Sequence, residues 1–197
     1  MASSKPRKED GGESFLLGKL LIALPGMPDP RFEKSVILMC AHSQDGAMGL
    51  IVNKPFEGIS FRELMTTLNV PVGEDTPDPP ILFGGPVKVG QGFVVHSSDF
   101  QSGDSSMKVT SEISLTATID ILRAIAEGRG PKKALFALGY AGWGPGQIED
   151  ELLANGWLHC DVDNAIVFDL AHDAKWQAAL GTLGADISGL SSEAGRA

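Results

Sequence analysis

Residues 35–52 read SVILMCAHSQDGAMGLIV. Six apolar or small residues after Ser35 bring the chain to Ala41 without a charge, a pattern that predicts a strongly apolar strand over Ser35–Ala41. Ser43-Gln44-Asp45-Gly46 then carries the small polar residues and the glycine that tight turns require. Met48–Val52 returns to apolar character and predicts a second strand, ended by Asn53-Lys54-Pro55. Two such runs around a short turn read as a β-hairpin.

Outward from this hairpin, strands and helices follow without a β-α-β rhythm. Leu16–Leu24 reads as a strand that stops at Pro25-Gly26, and Pro28 and Pro30 keep the next segment extended. Ser60 and Glu63 have the spacing of a capping box, and Phe61, Leu64, Met65 and Leu68 form one helical stripe, so a helix is predicted over Ser60–Leu68. A proline-rich loop spans Val70–Pro80. Strands are predicted at Ile81–Phe83 and Gly92–His96 around the turn Gly84-Gly85-Pro86, with a short one at Met107–Val109. A helix follows over Thr116–Glu127, then a strand at Ala134–Leu138 and a glycine-rich loop at Gly139–Gly146. The remaining elements are a helix over Pro145–Ala154, strands at Trp157–Val162 and Ala165–Phe168, and a helix over Asp173–Leu183 with Trp176, Leu180 and Leu183 inward. Tight turns between neighbouring strands favour an α+β fold with a mixed or antiparallel sheet over a doubly wound parallel one.

A chain of 197 residues suits one domain. Residues 1–14 and 188–197 are too polar to bury much surface and are expected to be tails, the first disordered and the second flexible, around a single domain at 15–187. The net charge of -9 and the lack of a basic cluster disfavour direct nucleic-acid binding and docking on anionic lipid. Cys40 and Cys160, the only cysteines, lie in apolar stretches and read as reduced, buried thiols. No run approaches the roughly 20 apolar residues of a membrane span. The Phe15–Leu24 stretch is interrupted by Lys19 and lacks a cleavage site, so a cytoplasmic location is expected.

The common motifs for nucleotide hydrolysis, zinc proteolysis and serine hydrolysis do not occur. Gly142, Gly144 and Gly146 miss the spacing of a dinucleotide fingerprint, and Pro145 removes a donor from the helix start that follows. The glycines read more simply as allowing Tyr140 and Trp143 to pack closely. Cys40 and His42 share a strand face, whereas His159 and Cys160 point oppositely, which is poor spacing for a metal; no cofactor or metal is expected. His42 and His96 end apolar strands, where bonding to a loop carbonyl competes with a catalytic role, and His172 reads as solvent-facing. Gln147 and Glu151 are i and i+4 on one helix face. Asn53 reads as a turn cap, and Trp143 and Trp157 as packing residues. The candidate ligand-binding residues are therefore His42, Asn53, His96, Trp143, Gln147 and Glu151.

The chain resembles the AlgH/YqgE family of bacterial proteins over about Phe15–Leu183. The resemblance rests on Leu24-Pro25-Gly26-Met27 with Phe32, His42 with Gly46–Leu50, Asn53-Lys54-Pro55, Gly84-Gly85-Pro86-Val87, and Gly92-Phe93 with His96. Its last block is Gly139–Trp143, Gly146-Gln147, Glu149, Glu151, Asn155 and Trp157. It implies a complex mixed, bifurcated sheet with a small closed β-barrel, flanked by helices, and a link to transcriptional regulation. With no helix-turn-helix and no basic surface, the expected role is a regulatory or binding module acting through a protein or small-molecule partner. The alternative is an enzyme whose polar site combines His42, Asn53, His96, Gln147 and Glu151.

Overall fold

In the computed structural model, residues 15–184 are described, apart from 102. Strand β1 (Lys19–Ala23) pairs antiparallel with β2 (Val36–Ser43), and β2 turns back into β3 (Gly46–Ile51), the hairpin expected from Ser35–Val52. The apolar run is continuous because both of its faces are buried. Leu38 and Cys40 point with Leu20, Ile22 and Leu50 into one core cluster, while Ile37 and Met39 point with Leu21, Ala23 and Ile51 into a second. Fully burying one such side chain contributes about 1.5–3 kcal/mol, so a strand filled on both faces anchors the fold.

The second half of the chain extends this sheet. Helix α1 (Phe61–Thr67) begins at the predicted capping box, with the Ser60 side chain accepting from the Glu63 N–H and Glu63 accepting from the Ser60 N–H. Its stripe packs with β4 (Ile81–Phe83) and β5 (Val87–Ser97) in a third cluster around Phe61, Ile81, Val94 and Phe136. Strands β6 (Ser106–Lys108) and β7 (Ile113–Thr116) precede α2 (Ile119–Ala126). Strand β8 (Ala134–Trp143) leads to α3 (Gln147–Leu153), β9 (Trp157–Asp161) and α4 (Lys175–Thr182). Among the described residues the sheet has nine strands in the order β6-β7-β5-β8-β3-β2-β1-β9, with β4 off the path beside β8. Every pairing is antiparallel except β4 with β8.

The fold is α+β, with a large curled antiparallel sheet and several helices. Residues 136–138 of β8 pair with β4 and residues 141–143 with β3, so the strand path forks there. The expected small closed barrel is not shown: the ladders among the described residues give a curled sheet in which none joins the two ends of the path. The expected tails at 1–14 and 188–197 lie outside the described residues.

Four further expectations are corrected. Gly139–Trp143 is strand, and only Gly144–Gly146 remains a turn, so the helix starts at Gln147 rather than Pro145. The glycines serve close backbone approach: a Cβ on Gly85 would lie 2.1 Å from the carbonyl carbon of Tyr140. Thr116 ends a strand instead of opening a helix, and α2 begins at Ile119. Ala165–Asp169 forms one π-helical turn in place of a strand. Its Val167 carbonyl is taken by a side chain, the Lys175 ammonium at 2.6 Å. On α4, Lys175, Ala179 and Leu180 face the core, whereas Leu183 is exposed.

Lys175 is fully buried and also donates to the Val52 carbonyl at 3.0 Å, tying the end of the hairpin to this turn. Burial lowers its pKa to about 8, against a smaller opposing pull from Asp169. A free lysine titrates near 10.4. Between about pH 8 and 10.4 the unfolded chain therefore holds a proton that the folded chain has released, and stability rises with pH. Urea midpoints measured at pH 7.5 and 10 are expected to show this rise in the wild type relative to Lys175→Met. Identical pH slopes for the two proteins would contradict the assignment.

Candidate functional site: a tryptophan-lined cleft

The C-terminal end of β8 delivers Trp143 to the base of α3, and the turn after α3 delivers Trp157 to the start of β9. The two indoles meet nearly perpendicular, with centroids 6.0 Å apart, and Phe32 packs against Trp157 in the same manner at 5.6 Å. Both tryptophans belong to the core cluster of Leu21, Ile37 and Met39. Their N–H groups would be unpaired there without an acceptor, and Glu151 supplies one. Trp143 Nε1 and Trp157 Nε1 both donate to Glu151 Oε2, at 3.0 and 2.8 Å. Gln147 Nε2 donates to Glu151 Oε1 at 2.8 Å, while its own Oε1 accepts from the Gly144 N–H at 3.0 Å. A hydrogen-bond chain thus runs from the β8–α3 turn through Gln147 to a carboxylate that fixes both indoles. Such charge-assisted bonds are about twice as strong as neutral ones.

This network forms one side of a cleft of about 690 Å³. The opposite wall is the loop after β1, with Pro25, Met27 and Phe32, and Pro86 and Val87 approach from the β4–β5 turn. Asp29 lies in the loop wall and caps the short helical turn Pro30–Phe32 by accepting from the Arg31 N–H. Arg31 returns its guanidinium to the same carboxylate, with contacts of 2.6–3.1 Å, and holds the Asp29 carboxyl below its usual range. Among the described residues, the one cation lining the cleft is therefore already paired, and Glu151 leaves the cleft lining with a net negative charge. Cleft and loop are joined through the backbone, where Leu24 N–H donates to the Gly156 carbonyl at 3.2 Å.

Of the six candidate residues, the fold brings together Trp143, Gln147 and Glu151. The other three are engaged elsewhere. His42 Nε2 meets Glu149 Oε1 at 2.7 Å on another side of α3, and its ring stands edge-on to Phe15. Its own backbone N–H and His42 both hold the Glu149 carboxyl below the ordinary value. Asn53 accepts from the Val36 N–H at 2.8 Å and donates to the Lys34 carbonyl at 2.9 Å, so it clamps the start of β2 rather than capping its own turn. His96 is fully buried, with Nδ1 donating to the Ser97 carbonyl and Nε2 accepting from Thr116 Oγ1, both at 2.9 Å. Burial lowers its pKa and keeps the ring neutral. His172, expected to face solvent, is half-buried with an unpartnered Nδ1.

Sequence reasoning missed the loop wall of the cleft. Its signals were the Leu24–Met27 and Phe32 block of the family resemblance and Asp29 before Pro30, a helix cap followed by proline at the first position. Cys40 is buried and its thiol is pushed up to about 12 by desolvation, so it is inert. Among the described residues no group of three His, Cys, Asp or Glu side chains is placed to hold a metal ion, and no helix is long and apolar enough to cross a membrane.

The segments that build this cleft are those on which the family resemblance rests, and comparison with known proteins agrees. A family model described as AlgH-like matches residues 20–188. The chain belongs to the AlgH-like family. A UPF0301 protein of Jannaschia sp. (strain CCS1) is 52% identical over 92% of this chain and 95% of its own length. One from Caulobacter vibrioides is 50% identical over 96% of this chain and 97% of its own. The solution structure of AlgH from Pseudomonas aeruginosa superposes with a TM-score of 0.72 at 39% identity, covering 100% of both chains. A crystal structure of protein DIP2367 from Corynebacterium diphtheriae shares the fold at a TM-score of 0.69 and 19% identity, over 89% of this chain and 91% of that one.

Replacing Glu151 by Gln leaves one acceptor oxygen for three donors and turns an amide N–H₂ toward an N–H. Glu151→Gln is expected to lose about 1–3 kcal/mol of stability and to shift the tryptophan emission. An unchanged urea midpoint and spectrum would show that the carboxylate does not hold the indoles.

Proposed function

We propose that this chain is a cytoplasmic binding module whose tryptophan-lined cleft takes up a small molecule, and that any regulatory role follows from that occupancy. The observation that supports this most directly is the Glu151 carboxylate shared by Trp143 and Trp157. It prebuilds a rigid, largely apolar wall beside a cleft within the roughly 300–1,000 Å³ range of small-molecule sites. A preformed wall lowers the ordering cost of binding.

Charge narrows the class of ligand. Arg31 is neutralised by Asp29, so among the described residues nothing lining the cleft offers an unpaired cation to a phosphate or carboxylate. A neutral or cationic molecule with a flat apolar body suits the walls, and Gln147 and Asn155 line the cleft as polar groups that can orient it. An anionic ligand such as nucleic acid would meet repulsion from Glu151 and from the acidic protein as a whole. The enzymatic alternative draws no support from the geometry, because His42, Asn53 and His96 are each bonded away from the Gln147–Glu151 pair.

Ala154 lines the cleft and is exposed, so a longer side chain there blocks the opening without disturbing the core. In a thermal-shift screen of neutral and amine-bearing aromatic metabolites, at least one compound is expected to raise the wild-type Tm in a saturable manner. Ala154→Arg should weaken that compound at least about tenfold, a cost near 1.4 kcal/mol, while keeping the ligand-free Tm. A screen in which only polyanions stabilise the protein would overturn the reading.

A further inference from the structure

The hydrogen bonds of the cleft also constrain the charge of its ligand. Trp143 and Trp157 each donate the indole N–H to Glu151 Oε2, at 3.0 and 2.8 Å, and both residues line the cleft. A group that donates to an anion is polarised by it. Electron density shifts from the N–H onto the indole, and the negative face of the ring becomes more negative. Tryptophan is already the best of the aromatic side chains at attracting a cation to that face. One carboxylate therefore biases two cleft-lining indoles in the same direction. Phe32 is already engaged, because the Arg31 guanidinium lies 6.0 Å from its ring centroid.

The formal charges agree. Among the described residues, Asp29, Arg31 and Glu151 are the charged side chains that line the cleft, one cation against two anions. Asp29 holds Arg31, so the uncompensated charge is the one the indoles share.

The acceptors narrow the cation further. Both Glu151 oxygens are bonded, one by the two indoles and the other by Gln147. Gln147 Oε1 takes the Gly144 N–H, and the Asp29 carboxylate takes Arg31. A primary ammonium needs partners for its three N–H groups when it leaves water. Among the described side chains of the cleft, only the exposed Asn155 amide is left for that task. A quaternary ammonium has no N–H to satisfy. Its charge is spread over methyl groups, which pack against walls such as Pro25, Met27 and Val87.

We propose that the ligand of the tryptophan-lined cleft is a small organic cation whose head is a methylated, quaternary ammonium seated against Trp143 and Trp157. The proposal rests on the reading of this cleft as a small-molecule site, and adds the charge and the substitution of the ligand's head.

Choline, ethanolamine and 3,3-dimethyl-1-butanol test it. The first two share a charge, and the first and third share a shape. Titrations followed at the indole N–H resonances of Trp143 and Trp157 in ¹⁵N-labelled protein are expected to show saturable choline binding. It should be about tenfold tighter than for either other compound, the size of a partly desolvated cation–π contact. Arg31→Gln leaves Asp29 unpaired and should tighten choline about threefold, whereas Asp29→Asn leaves Arg31 unpaired and should weaken it about threefold. Neither variant should change 3,3-dimethyl-1-butanol, whereas an altered loop would change both ligands. Choline that binds no better than 3,3-dimethyl-1-butanol or ethanolamine, or does not bind, overturns the quaternary head, as do variants that shift both ligands alike. A saturable hit in the aromatic screen would then still uphold the cleft as a small-molecule site. A cleft that takes neither choline nor any screened aromatic overturns both readings.

Discussion

Burial of β2 on both faces is the constraint from which the rest of the architecture follows. A strand that presents Leu38 and Cys40 to one side and Ile37 and Met39 to the other cannot face water on either. Helix α4 and the preceding π-helical turn cover the first face with Ala179, Leu180, Ile166 and Val167. The second is covered by Ile148 of α3 and by the two tryptophans that bracket that helix. The cleft is therefore continuous with the second core, and its floor is as rigid as the core itself.

Covering an apolar face with indoles raises a polar problem that aliphatic side chains would not. Each brings an N–H that must be bonded when buried. One carboxylate, Glu151, meets the need of both, and Gln147 completes it from one helical turn away. With both of its oxygens bonded, this carboxylate is held in place as the common acceptor of the network.

Much of the fold was legible because the signals were local. The apolar runs around Ser43–Gly46, and the Ser60 and Glu63 pair ahead of a helical stripe, act over a few residues and survive in the structure. The misreadings share a cause: local composition was overruled by a distant partner. Gly139–Trp143 looks like a loop because it is glycine-rich, yet the glycines are there because the Gly84-Gly85 backbone presses against β8. Ala165–Phe168 is apolar enough for a strand, but a short apolar run does not distinguish strand from helix, and Lys175 claims its Val167 carbonyl. The candidate site was legible in Trp143 and in the i, i+4 pair Gln147 and Glu151. That both tryptophans share this carboxylate, and that the loop at Met27–Phe32 faces them, depends on the β1–β9 pairing, which brings Ala23 beside Trp157. No spacing along the chain encodes that.

The fork in the sheet has a consequence for how the molecule comes apart. Along β8, Phe136 belongs to the cluster under α1 and α2, Ala137 to the cluster under α4, and Ala141 and Trp143 to the cluster under α3. One ten-residue strand is thus the common boundary of three separately packed interiors. Pulling it from any one of them exposes apolar surface in the others, so the three melt together in a single cooperative transition.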